Sequence, residues 1–76
     1  MNNSRRDLLR SAKPFLEKAA TIIEQAMDQE SDCLDNIPES LQATERYEKM
    51  EQAIGSLEEA LEHIDSASEC IDSAIA

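Results

Sequence analysis

The fold is decided between Tyr47 and Ile75, a stretch that reads YEKMEQAIGSLEEALEHIDSASECIDSAI. Apolar side chains recur there at alternating steps of three and four residues, and Ser68 is the only interruption. This spacing lines them along one side of a helix, as in coiled coils. The a and d positions of the heptads are Tyr47, Met50, Ile54, Leu57, Leu61, Ile64, Ser68, Ile71 and Ile75.

The two flanks of this predicted helix differ in chemistry. The g positions are all alanine, namely Ala53, Ala60, Ala67 and Ala74. The e positions are all acidic, namely Glu51, Glu58, Asp65 and Asp72. We expect the acidic row to form an exposed, solvated face that keeps the protein soluble. The alternative is a face that imitates a nucleic-acid backbone and binds a basic protein. Direct binding of DNA is disfavoured by the same charge.

A second helical pattern is predicted over about residues 5–34, with Ser4 and Asp7 as a capping box. Pro14 lies inside it and lacks the N–H that a helix interior requires. Either one helix is kinked near Pro14, or a short first helix ends near Arg10. The apolar pattern continues through Pro14 in phase, which favours one kinked helix. Its pattern places Leu9, Leu16 and Ile23 at a, Ala12, Ala19 and Ala26 at d, and Leu8, Phe15 and Ile22 at g.

The segment of about residues 35–43 is the predicted turn, because Ile37 precedes a proline and is biased away from helical geometry. Asn36 with Glu39 is expected to cap a short turn, and Thr44 to cap a helix over about 44–75. The chain is therefore predicted to be a single all-α domain of residues 1–76, folded as an antiparallel hairpin. The chain has no runs of aromatic or β-branched residues, and this excludes a β-sheet. The regular spacing of apolar residues in the chain argues against disorder, despite the net charge of -10.

Alanine spacing suggests a register for the hairpin. The pairs Ala12–Ala67, Ala19–Ala60 and Ala26–Ala53 would form three layers of an alanine-rich seam. This register separates Cys33 from Cys70 and excludes a disulfide between them. It leaves wide apolar stripes uncovered, so we expect a homodimer that forms a four-helix bundle, or a higher oligomer. The expected oligomer interface consists of Leu8, Phe15, Ile22, Ile54, Leu57, Leu61, Ile64 and Ile71.

Basic residues are concentrated in the first 18 positions, and the rest of the chain is acidic. One interpretation is ion pairing between this basic start and the acids near Asp72. The other is an anion site for a nucleotide, because guanidinium forks suit phosphate and Tyr47 can stack on a base. The residues proposed for anion binding are Arg6, Arg10 and Lys13, which share one face, and Arg46 and Lys49, which would form a site with Tyr47.

Signals of catalysis are missing from the sequence. His63 is the only histidine, Gly55 is the only glycine, and no metal-ligand spacing is present. We therefore expect no enzymatic activity, no cofactor and no bound metal. There is no signal peptide or membrane-spanning run, so we expect a cytoplasmic protein with reduced cysteines.

The run from Asp35 to Tyr47, DNIPESLQATERY, together with residues 51–60, resembles a group of small uncharacterised helical proteins from phages and mobile elements of Gram-positive gut bacteria. The likeness covers about half of the chain. It implies a protein of the host-cell cytoplasm that counters host defences by binding. The expected mechanism is sequestration of an anionic nucleotide signal. Alternatives are an acidic inhibitor of a basic host protein, such as a CRISPR nuclease, and a structural or assembly module without a ligand.

Overall fold

The computed structural model describes all residues, 1–76. Two long helices, α1 (Asn3–Asp35) and α2 (Glu45–Ile75), are joined by a turn that contains a short 3-10 segment, Glu39–Leu41. The helices pack side by side into a rod of 60 × 15 × 13 Å, without any strand. The predicted all-α hairpin is therefore confirmed.

Helix α1 begins two residues earlier than the predicted start at Arg5. The side chain of Asn2 caps it, because its Oδ1 accepts a 2.9 Å hydrogen bond from the backbone N–H of Arg5. The predicted capping by Ser4 is therefore wrong. Pro14 lies inside one continuous helix, so the reading with two separate helices is also wrong. An interior proline costs about 3 kcal/mol, and the packing of apolar residues on both sides of it offsets that cost.

The turn occupies residues 36–44, one position later than predicted. Asn36 ends α1 as its C-cap and does not cap the following segment with Glu39, as the sequence had suggested. Thr44 caps α2 as predicted, since its hydroxyl accepts a 3.3 Å hydrogen bond from the N–H of Tyr47.

The seam between the helices is built from large side chains rather than from paired alanines. In α1 the half-buried residues at alternating steps of four and three are Leu9, Lys13, Leu16, Ala20, Ile23, Met27, Glu30 and Leu34. In α2 they are the predicted a and d positions, of which Met50 is buried and the others are half-buried. Large side chains remove more apolar area from water than alanine does, which explains their place at the seam. The prediction of an alanine seam is therefore wrong for Ala26, which is exposed, whereas Ala12 and Ala19 are half-buried at the edge of the seam.

The register differs from the alanine register as well. Leu16 borders the same groove as Ser68, and Ala20 borders the same groove as Ile64. The alanine register would have placed Ala20 opposite Glu59. Near the open end of the hairpin, Lys13 forms an ion pair with Asp72.

Candidate interaction surfaces

The hairpin has almost no interior of its own. Met50, with 8% of its surface exposed, is the only buried residue among 76. The a and d residues of α2 that were expected to face a partner, from Ile54 to Ile71, are half-buried against α1 instead. In a pair of helices, each side chain of the seam is covered only by the opposite helix, so the seam remains partly exposed to water.

Three large apolar side chains of α1 lie outside this seam. Phe15 is 75% exposed, Leu8 is 71% exposed and Ile22 is 56% exposed. They are seven residues apart, so they lie on one face of the helix. We call these three residues the apolar ridge. Each was predicted to be an interface residue, and α2 covers none of them.

The two flanks of the seam differ in character. On one flank, Glu17 and Glu24 border the same grooves as Asp65. The alanines lie on the other side of each helix, where Ala26 and Ala53 are exposed and the rest are half-buried. We call this second surface the alanine flank, and the apolar ridge borders it along α1. It consists of Ala12, Ala19, Ala26, Ala53, Ala60 and Ala67.

The three residues of α1 that were proposed for anion binding already have partners within the chain. Arg6 donates a 3.2 Å hydrogen bond to Oδ1 of Asn3, and Arg10 forms a 2.9 Å ion pair with Asp7. Lys13 is half-buried at the seam, where it meets Asp72. Of the three, only Lys13 pairs with the acidic end of α2 as the ion-pairing interpretation predicted, since Arg10 pairs within α1. Exposed pairs of this kind contribute only about 0–1 kcal/mol each, so an anion can compete for them.

The other half of the predicted anion site lies at the opposite end of the rod. Lys49 is 23 residues before Asp72, which corresponds to about 35 Å along the helix. It forms a 3.2 Å ion pair with Glu45, and Tyr47 is half-buried. Within one chain, Arg6, Arg10 and Lys13 therefore lie at one end of the rod, and Arg46, Tyr47 and Lys49 lie at the other.

Arg46 is the cation at the turn that has no ion pair. It borders two grooves. One, of about 500 Å³, is shared with Glu30, Glu45, Lys49, Met50 and Ala53. The other, of about 310 Å³, lies against the turn and is shared with Ile37, Pro38 and Leu41, among others. Both grooves are shallow, and the first contains as many acids as bases.

The acidic row is exposed as its heptad position predicted. Glu51, Glu58 and Asp65 have no ion-pair partner, whereas Asp72 is paired with Lys13. In the whole chain only three of the 17 carboxylates, those of Asp7, Glu45 and Asp72, form ion pairs. The protein therefore presents a nearly continuous negative surface on the flank opposite the alanines.

The seam position of Lys13 is the feature that the sequence reasoning missed. A step pattern of four and three residues runs from Leu9 through Lys13 to Leu16 and on to Leu34, and it would have revealed this position. The charge of Lys13 instead predicted a surface site. Its long aliphatic stem packs at the seam while the ammonium reaches Asp72.

Both cysteines, Cys33 and Cys70, are free and exposed. No cluster of three or more His, Cys, Asp or Glu side chains is arranged to hold a metal ion. Neither helix contains an apolar segment long enough to cross a membrane.

Comparisons of the chain with protein-family models, with curated proteins and with solved structures find no match.

Proposed function

We propose that the protein is a non-enzymatic binding protein that works as a homo-oligomeric helical bundle. The observation that carries this proposal is the burial of a single residue, Met50, in a chain that exposes Leu8, Phe15 and Ile22. A chain of this size needs an additional source of stability beyond one small core, and self-association is one of the common sources. A second copy packed on the apolar ridge would supply it.

Self-association is tested by sedimentation equilibrium of the wild-type chain at micromolar concentration. The expected mass is about 17 kDa, twice the 8.5 kDa of one chain, or a higher multiple. A helical protein that sediments at the monomer mass throughout the concentration range would refute the proposal.

The surface that remains for a partner is the acidic flank. Glu51, Glu58 and Asp65 are exposed and unpaired, so they are free to meet cations of another protein. We therefore favour a basic protein as the bound partner. The resemblance to proteins of phages and mobile elements suggests its setting, which is the cytoplasm of a host cell where the protein would counter a defence system.

Sequestration of an anionic nucleotide is the second candidate function. The observation in its favour is the concentration of guanidinium groups at the start of α1, whose ion pairs are exposed and weak. An oligomer would bring several such ends together. The assembly module without a ligand is the remaining candidate, and it needs only the self-association.

Charge variants separate these candidates. Neutralising the triple Glu51→Gln, Glu58→Gln and Asp65→Asn should abolish the salt-sensitive association with a model basic protein such as histone, while Arg10→Glu should leave it intact. A nucleotide trap should behave in the reverse way in a thermal-shift screen with cyclic dinucleotides. If both variants match the wild type in both assays, neither charged surface carries ligand binding, and the assembly module is favoured.

A further inference from the structure

The apolar ridge and the alanine flank form one surface on the same side of the rod. The ridge runs along the outer edge of α1, and the six alanines cover the middle. The outer edge of α2 carries smaller or polar side chains at heptad spacing, all of them exposed, namely Lys49, Ser56, His63 and Cys70. The face therefore has a raised edge on α1, a flat middle and a low edge on α2.

We infer that this face binds a second copy of the chain, with α1 of one subunit lying over α2 of its partner. The inference rests on the self-association proposed above and specifies its geometry. Each ridge then lies over the low edge of the partner, and the two alanine rows meet in the middle. If the two ridges met each other instead, Phe15 and its neighbours would hold the alanine rows apart. The resulting voids are unfavourable, because protein interiors are closely packed.

The charges of the helices favour the same arrangement. Helix α1 has five basic and seven acidic side chains, whereas α2 has two basic and nine acidic ones. Packing α1 over α1 would also place α2 beside α2, so the two strongly negative helices would be neighbours. Packing α1 over α2 keeps them apart and lays the basic start of α1 beside the acidic end of the partner's α2.

This arrangement implies a twofold axis parallel to the rod. Residues that are level within one hairpin, such as Ala20 and Ile64, are then level between the subunits as well. Ile22 is predicted to lie beside the partner's His63, and Gln29 close to the partner's Ser56. Within one hairpin these pairs lie at the outer edges of two different helices and point apart, so no disulfide can join them there.

Disulfide trapping tests the arrangement. The background is the full chain with Cys33→Ser and Cys70→Ser, which removes both native thiols. We add Ile22→Cys together with His63→Cys, and in a second protein Gln29→Cys together with Ser56→Cys, which leaves the ridge intact. After mild oxidation, each pair should shift the chain from the monomer band to the dimer band on a non-reducing gel. The matched controls are the four single variants, which should remain monomer bands.

Two results would overturn the inference. One is a dimer band from Phe15→Cys together with Ile22→Cys in the same background, because a ridge-to-ridge arrangement runs the two α1 helices antiparallel and places Phe15 beside the partner's Ile22. The other is the absence of any dimer band from both cysteine pairs while the reduced proteins sediment as dimers. That second result would leave the proposed self-association intact. A monomer mass for the wild type would refute the self-association and this geometry with it.

Discussion

Replacement of Phe15 by serine should weaken the dimer strongly and leave the isolated hairpin almost unaffected. Phe15 is 75% exposed in the hairpin, which for a side chain of about 200 Å² leaves about 150 Å² to be covered. At about 25 cal/mol per Å², complete covering contributes about 4 kcal/mol. Half-complete covering contributes about 2 kcal/mol per side chain, and each dimer contains two of them.

The predicted loss is therefore about 4 kcal/mol per dimer, which raises the apparent dissociation constant about 1000-fold. Serine and phenylalanine have similar helix propensities, so a change in α1 itself contributes little. Sedimentation equilibrium of the wild type and of Phe15→Ser measures the difference directly.

The matched control is Leu41→Ser, which also removes an exposed apolar side chain, 51% exposed, but at the turn and away from the ridge. Its dissociation constant should stay close to that of the wild type. Equal effects of the two substitutions would refute the role of the ridge, and so would a Phe15→Ser protein that still associates as tightly as the wild type.

Three further substitutions test the hairpin itself. Gly55→Ala should stabilise the protein by about 1 kcal/mol per chain in urea unfolding, because a methyl group there meets no atom within 4 Å. A loss of stability would reveal a contact at this exposed position. Thr44→Ala should cost about 1 kcal/mol through loss of the cap on α2, whereas Thr44→Ser should keep most of the stability. Lys13→Met should change the unfolding free energy by less than about 1 kcal/mol, because the ion pair with Asp72 is weak and methionine still packs at the seam. A loss of several kcal/mol would show that this ion pair contributes strongly to the stability of the fold.

The heptads of α2 predicted the helix and its apolar side correctly, because their large a and d residues share one side of the helix. The prediction that this side faces a second copy is wrong, since it packs against α1. Helix α1 has two apolar stripes, one through Leu16 and Ile23 and one through Phe15 and Ile22. Sequence alone does not decide which of them packs on α2. The spacing of the alanines predicted that they form the seam, whereas in the structure the larger side chains form it.

The candidate surfaces were predictable to a similar extent. The exposure of Glu58 and Asp65 follows from their heptad position and needs no knowledge of the partner helix. The pairing of Lys13 with Asp72 depends on the register of the two helices, and the spacing of the alanines predicted that register wrongly. Arg46 could not be recognised as the unpaired cation of the turn, because its partners depend on how the turn folds.

The central claim is that a second copy completes the core of this hairpin, so that folding depends on association. Thermal unfolding followed by circular dichroism at chain concentrations 100-fold apart tests it most directly. Mass action adds about 2.7 kcal/mol to the stability of a dimer over such a range. For a dimer of this size, we expect the Tm to rise by about 5–10 °C. A Tm that is the same at both concentrations would contradict the claim.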